Sequence, residues 1–221
     1  MKTLTVGPAQ MRSRRSVLAS GLGLALAHVG LLAAAGLPGT PASAHEVRPS
    51  RTAASNAQFT VQTRHNVAPP EMTLTRMDGR PSSLRKELDA GEPLIVNFVF
   101  TTCSTICSTQ TATLVALQRQ LRDGARPARF MSFTIDPDND TPEVLTKFAR
   151  QFGIGPGWDF YTGRFDDLLL QQQAFDVYRG AKAGHPPVVM MRRARTSPWV
   201  RVEGHPSPDE LRRIYEQLPS S

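Results

Sequence analysis

Cysteine is scarce in this chain, with two in 221 residues. At most one disulfide can form within it, so no disulfide framework stands in for a core. Acidic residues are missing from residues 1–44, which carry Lys2, Arg12, Arg14 and Arg15. Removing those four charges from the net +7 leaves +3, too little to indicate nucleic acid as a partner. No Lys/Arg run is interleaved with aromatics, which points the same way. Arg192, Arg193 and Arg195 form a small basic cluster, read as the solvated edge of a hairpin. No internal repeat is present, which excludes repeat architectures. No cysteine lies near residue 44, so lipid attachment there is excluded.

The N-terminal residues read as an export signal. Arg14-Arg15 follow Ser13 and precede Ser16-Val17-Leu18, a twin-arginine pattern. An apolar, Gly-containing stretch runs from Val17 to Leu37, and Pro41-Ala42-Ser43-Ala44 offers a small-residue cleavage site. Val17–Leu37 is about long enough to span a bilayer, but Gly21, Gly23, His28, Gly30 and Gly36 weaken it as an anchor. The expectation is a cleaved signal over 1–44 and a periplasmic mature chain. Anchoring in the inner membrane, facing the periplasm, is the alternative; membrane contact is expected only if the segment is retained.

Residues 45–66 are rich in Arg, Ala, Ser and Thr and read as a flexible tether with one early strand over Gln58–Thr63. The compact domain is placed at 67–221. Its local signals alternate between strand and helix. Met72–Thr75 alternates as a strand and Asp78-Gly79 marks a hairpin turn. Leu84–Leu88 reads as a short helix. Leu94 to Phe100 is nearly continuous in apolar residues, the pattern of a strand buried on both faces. A helix pattern follows from about Cys107 to Leu121, with Leu114, Leu117 and Leu121 on one face, stopped at Gly124. Phe130–Ile135 is the next buried strand. Thr141 and Pro142 open a helix that Gly153 ends. Asp159–Tyr161 reads as a strand and Phe165–Phe175 as a helix. Val188–Met191 and Trp199–Val202 read as paired strands, and Ser207-Pro208-Asp209-Glu210 is a capping box that opens the last helix. Strands alternating with helices imply an α/β fold with a central mixed sheet flanked by helices. A terminal hairpin followed by one helix is the closing half of a thioredoxin-like layout.

Chemistry concentrates in Cys103-Ser104-Thr105-Ile106-Cys107, at the junction of a buried strand and a helix. Positions four apart share a helix face. A helix N-terminus stabilises thiolate over thiol and lowers the pKa. A disulfide across three intervening residues closes almost no loop and adds little stability, so redox or metal chemistry is expected in place of a staple. Soft thiolates favour Cu(I), and imidazole also suits copper. Among the histidines, His65 falls in the tether and His205 in a loop before the capping box. His45 becomes the first residue if cleavage follows Ala44. His185 sits immediately before the strand Val188–Met191, in a loop that approaches the cysteine motif in a thioredoxin-like fold.

From Val67 to Leu218 the chain resembles the Sco/SenC family. The resemblance is carried by Phe98-Val99-Phe100 running into Cys103-x-x-x-Cys107, by Asp136-Pro137-x-x-Asp140-Thr141-Pro142-Glu143, by Thr162-Gly163, and by His185 before a strand. It implies a thioredoxin fold and copper, Cu(I) or Cu(II), held by Cys103, Cys107 and His185. It also implies a copper chaperone, not an enzyme, that delivers copper to the dinuclear copper site of cytochrome c oxidase subunit II, or prepares its cysteines. Asp136 and Asp140 are read as holding their loop and capping the helix, with a carboxylate supporting the metal ligands as the alternative. Ser108 stands where the family usually has proline and Gly184 where an Asp is frequent, and a twin-arginine signal replaces the usual anchor. These departures leave the acceptor open between cytochrome oxidase and another copper enzyme.

The alternative reading is a periplasmic thiol–disulfide oxidoreductase in which Cys103 attacks and Cys107 resolves. Its three-residue spacer differs from the two-residue thioredoxin spacing. A peroxidase of related fold needs an activating arginine beside its cysteine, and the sequence places none. Either leading role needs reduced thiols in an oxidising compartment, so a periplasmic thiol reductant or a copper donor is implied as a partner.

Overall fold

The structure is a computed structural model, and it describes residues 58–122 and 127–219. The expected signal segment, His45 and the stop at Gly124 lie outside the described residues. Among the described residues, no helix is long and apolar enough to cross a membrane.

The first strand, β1 (Phe59–Arg64), pairs antiparallel with the last, β8 (Trp199–Gly204). The early strand expected in the tether is therefore present, and the sheet begins at Phe59. The approach is close at Gly204: φ is +118°, and a Cβ there would collide with the Gln58 carbonyl. Next come β2 (Thr73–Arg76) and β3 (Pro81–Ser83), an antiparallel hairpin turning at Gly79 with φ +83°. Leu84–Leu88 forms the short helix α1.

The centre is β4 (Leu94–Val99), every residue of which is buried. The apolar run that signals it arises because helices cover both of its faces. It leads into α2 (Ile106–Arg122) and then β5 (Arg129–Thr134), parallel to β4. Helix α3 (Pro142–Gln151) starts with the Thr141 side chain accepting from the Val144 N–H, as the cap signal predicts. Strand β6 (Trp158–Thr162) pairs parallel to β5, and α4 (Phe165–Ala174) follows. A 3-10 turn, Lys182–Gly184, leads to β7 (Val188–Arg192), which pairs antiparallel with both β4 and β8. Helix α5 (Pro208–Glu216) carries the complete capping box of Ser207 and Glu210.

Among the described residues the sheet has eight strands in the order β1-β8-β7-β4-β5-β6-β2-β3. It is open and mixed, the architecture expected of a thioredoxin-like fold. Alternation along β4 divides the core. Ile95 and Val99 join Leu114, Leu117, Phe148, Leu211 and Tyr215 on one face. Leu94, Val96 and Phe98 join Leu84, Leu168, Phe175 and Trp199 on the other. Each such side chain contributes about 1.5–3 kcal/mol over leaving it exposed.

One expectation about the surface is overturned. Arg192 is 7% exposed, not solvated. Its guanidinium donates to the Leu88 carbonyl and lies 4.6 Å over the Trp199 ring. A long side chain at the end of β7 reaches the carboxyl end of α1, where free carbonyls need donors. Arg193 likewise donates to the Leu218 carbonyl at 3.0 Å.

Candidate metal centre

Three loops meet at the carboxyl end of β4. The first is the turn Thr101–Thr105, which joins β4 to α2. The second joins β5 to α3 and contains Asp136 and Asp140. The third precedes β7. Because Val189 pairs with Asn97 in the antiparallel β4–β7 ladder, the residues before Val188 lie beside the exit of β4. That pairing brings His185 to the cysteines.

Cys103, Cys107 and His185 line one cavity of about 230 Å³, with Phe98, Phe100, Ile106, Gln110 and Lys182 among its walls. Both cysteines are free thiols. His65 and His205 are exposed and take no part in this cavity. Among the described residues, no three His, Cys, Asp or Glu side chains converge tightly enough to enclose a metal ion. The three residues share a cavity without closing on a common point.

The cysteines differ sharply in environment. Helix α2 begins at Ile106, so Cys103 precedes it and Cys107 lies in its first turn. The Cys107 N–H donates to the Cys103 sulfur at 3.4 Å, which makes Cys103 the cap of a free helical N–H. Partial burial of Cys103 opposes ionisation. The N–H groups of Cys107 and Thr105 outweigh it and hold the thiol below its ordinary pKa. Burial pushes the Cys107 thiol up to about 12. The expectation that the helix terminus lowers the pKa fits Cys103 only. For Cys107, lost hydration exceeds what the terminus supplies.

His185 is half-buried, with its ring 6.1 Å from that of Phe98. Its Nδ1 lies 2.7 Å from the Pro186 carbonyl. A carbonyl only accepts, so Nδ1 carries the proton and Nε2 presents a lone pair. Nε2 is buried and has no hydrogen-bond partner among the described residues. Burial, reinforced by the positive charges of Arg179 and Arg201, holds the imidazole pKa down to about 4. The ring is therefore neutral at physiological pH, the form in which imidazole ligates metals. Two free thiols beside an unpartnered imidazole nitrogen are a donor set suited to copper.

The two aspartates hold the loops around this cavity, as expected, but neither caps the helix: Thr141 caps α3. Asp140 is fully buried. It accepts from the Thr101 N–H at 3.2 Å, from the Thr101 hydroxyl at 2.5 Å and from the Thr134 hydroxyl at 2.5 Å. It thereby ties the residues just before Cys103 to the end of β5. Asp136 accepts from Lys182 at 2.6 Å, which ties the same loop to the turn before His185. Ser108 replaces the family's usual proline and donates its hydroxyl to the Cys103 carbonyl at 3.0 Å. Sequence reasoning passed over Lys182 and Gln110. Lys182 carries no local signal. Gln110 does, since Asn97 interrupts an apolar strand and requires a polar partner across the layer.

The SCO1/SenC family profile matches residues 62–191, more than half of the chain. A stretch of 92 residues is 40% identical to the SCO1 protein homolog of Bacillus subtilis (strain 168), covering 41% of this chain and 47% of that protein. The match thus spans about half the length of that curated relative. Among solved structures, BsSco is 26% identical over 68% of this chain and 92% of its own, with a TM-score of 0.58. BsSco is a member of the Sco family of cytochrome c oxidase assembly proteins in which a disulfide switch has been identified. Yeast Sco1 with copper bound is 22% identical over 69% of this chain and 89% of its own, with a TM-score of 0.59, a likeness of fold. The profile match and the shared open sheet agree: the chain belongs to the SCO1/SenC family.

Proposed function

We propose that this chain is a periplasmic copper carrier that holds copper as cargo between Cys103, Cys107 and His185. The observation that carries the reading is the meeting of two free thiols and a buried, unpartnered imidazole nitrogen in one cavity. Family membership supports it. Cys103 is the first donor, because its thiol ionises most readily. Cys107 gives up its proton as the metal takes its place. His185 contributes Nε2, and the three donors draw together around the ion. Copper leaves by ligand exchange, with a donor atom of the acceptor displacing one sulfur at a time. The acceptor is the dinuclear copper site of cytochrome c oxidase subunit II or another copper enzyme. Residues 1–44 act as the export signal, and a periplasmic thiol reductant or copper donor keeps the site loadable.

The test is an anaerobic copper titration of the reduced, metal-free protein beside Cys103→Ser and His185→Ala. One copper per chain is expected, lost in the cysteine variant and weakened in the histidine variant. No tight binding by the reduced wild type would overturn the reading.

The unequal ionisation of the cysteines favours a second reading, a thiol–disulfide oxidoreductase acting on the acceptor's cysteines. There the Cys103 thiolate attacks a disulfide sulfur, and Cys107 closes on Cys103 to release the reduced product. Turnover of a mixed disulfide that persists in His185→Ala would favour it over carriage.

A further inference from the structure

A single file of buried polar groups crosses the sheet and ends at the cysteine cavity. Trp158 Nε1 donates to the Ser132 hydroxyl at 2.8 Å, and that hydroxyl donates to Asn97 Oδ1 at 2.6 Å. Asn97 Nδ2 then donates to Gln110 Oε1 at 3.4 Å. Satisfying each group sets the directions: Ser132 accepts from the indole, so its own proton goes to Asn97 Oδ1, which leaves Nδ2 facing Gln110. An indole N–H can only donate and an amide oxygen can only accept. The remaining group at the end of the file is the Gln110 NH2, a donor. Trp158, Ser132, Asn97 and Gln110 are each at least nine-tenths buried. Gln110 Nε2 has no partner among the described residues.

A buried donor without an acceptor costs free energy, which an acceptor in a neighbouring cavity removes. Gln110 lines the cavity shared by Cys103, Cys107 and His185. It stands three residues after Cys107 on α2, and both are buried on the same side of that helix. It also borders a smaller cavity beside His205, which contains no thiol.

We infer that Gln110 is a positioning residue for the cysteine pair, donating its Nε2–H to the Cys107 sulfur when that sulfur binds metal. The file from Trp158 sets its orientation: with Oε1 committed to Asn97, the amide cannot turn its oxygen toward the sulfur and repel it. The inference rests on the copper reading above.

Two readouts on Gln110→Met test it. The first is copper affinity, which falls about ten-fold. The second is the sulfur-to-copper charge-transfer band of the Cu(II) form, which moves to lower energy as the sulfur loses its donor. The Met variant leaves Asn97 with an unpaired N–H. The double variant Asn97→Val/Gln110→Met removes both amides and guards against a folding defect. The expected result is both shifts in both variants. An unchanged band and affinity in a wild type that binds copper, whatever the melting temperature, would overturn the inference alone and leave Gln110 a packing residue. A wild type that binds no copper would overturn the copper reading and the inference with it.

Discussion

The sulfur of Cys103 caps the N–H of Cys107 at 3.4 Å. One thiol therefore serves the helix terminus while the other is buried within its first turn. Reactivity should follow. With limiting iodoacetamide at neutral pH, Cys103 is expected to be alkylated at least about ten-fold faster than Cys107. Peptide mass mapping reads the order directly, and equal or reversed labelling would contradict the assigned environments.

Copper loading should depend on pH through Cys107. Its thiol is pushed up to about 12 by burial, so at neutral pH it enters the metal site by losing a proton. Apparent affinity should rise about ten-fold per pH unit for each proton displaced. Competition titrations from pH 7 to 9 would show this slope, and a flat profile would argue that Cys107 is not a ligand.

His185 predicts a pH dependence of stability with a definite sign. Its folded pKa of about 4 lies below the ordinary 6.5. The unfolded chain therefore binds the proton first as pH falls. The stability linked to the neutral ring is full above about pH 6.5 and is lost as the pH drops toward 4. Urea midpoints measured across that window should fall less steeply in His185→Gln than in the wild type.

Asp140 is expected to matter for both stability and the site. Asp140→Ala leaves the Thr101 N–H and two hydroxyls without their acceptor. The cost should be about 2–3 kcal/mol in urea unfolding. Copper affinity should fall as well, because the strand exit that aims Cys103 is released. Unchanged affinity in a destabilised variant would show that the loop holds its shape without this carboxylate.

Much of the fold was legible because its signals are local. The Thr141 and Ser207 caps, the Gly79 turn, the largely apolar β4 and the cysteines at its exit depend only on neighbouring residues. Periodicity and caps report backbone preferences that act over a few positions. Those signals, with the spacing of the two cysteines and the following Asp-Pro segment, determined the fold class and pointed to the site. The tertiary structure decided what depends on distant residues. Strand β1 joins β8 from the far end of the domain. Arg192 turns inward because α1 offers it carbonyls. The β4–β7 ladder sets His185 beside the cysteines. Burial, which no short window of sequence encodes, separates the two thiols in character and turns Gln110 from a polar helix residue into an unpartnered donor at the cavity wall.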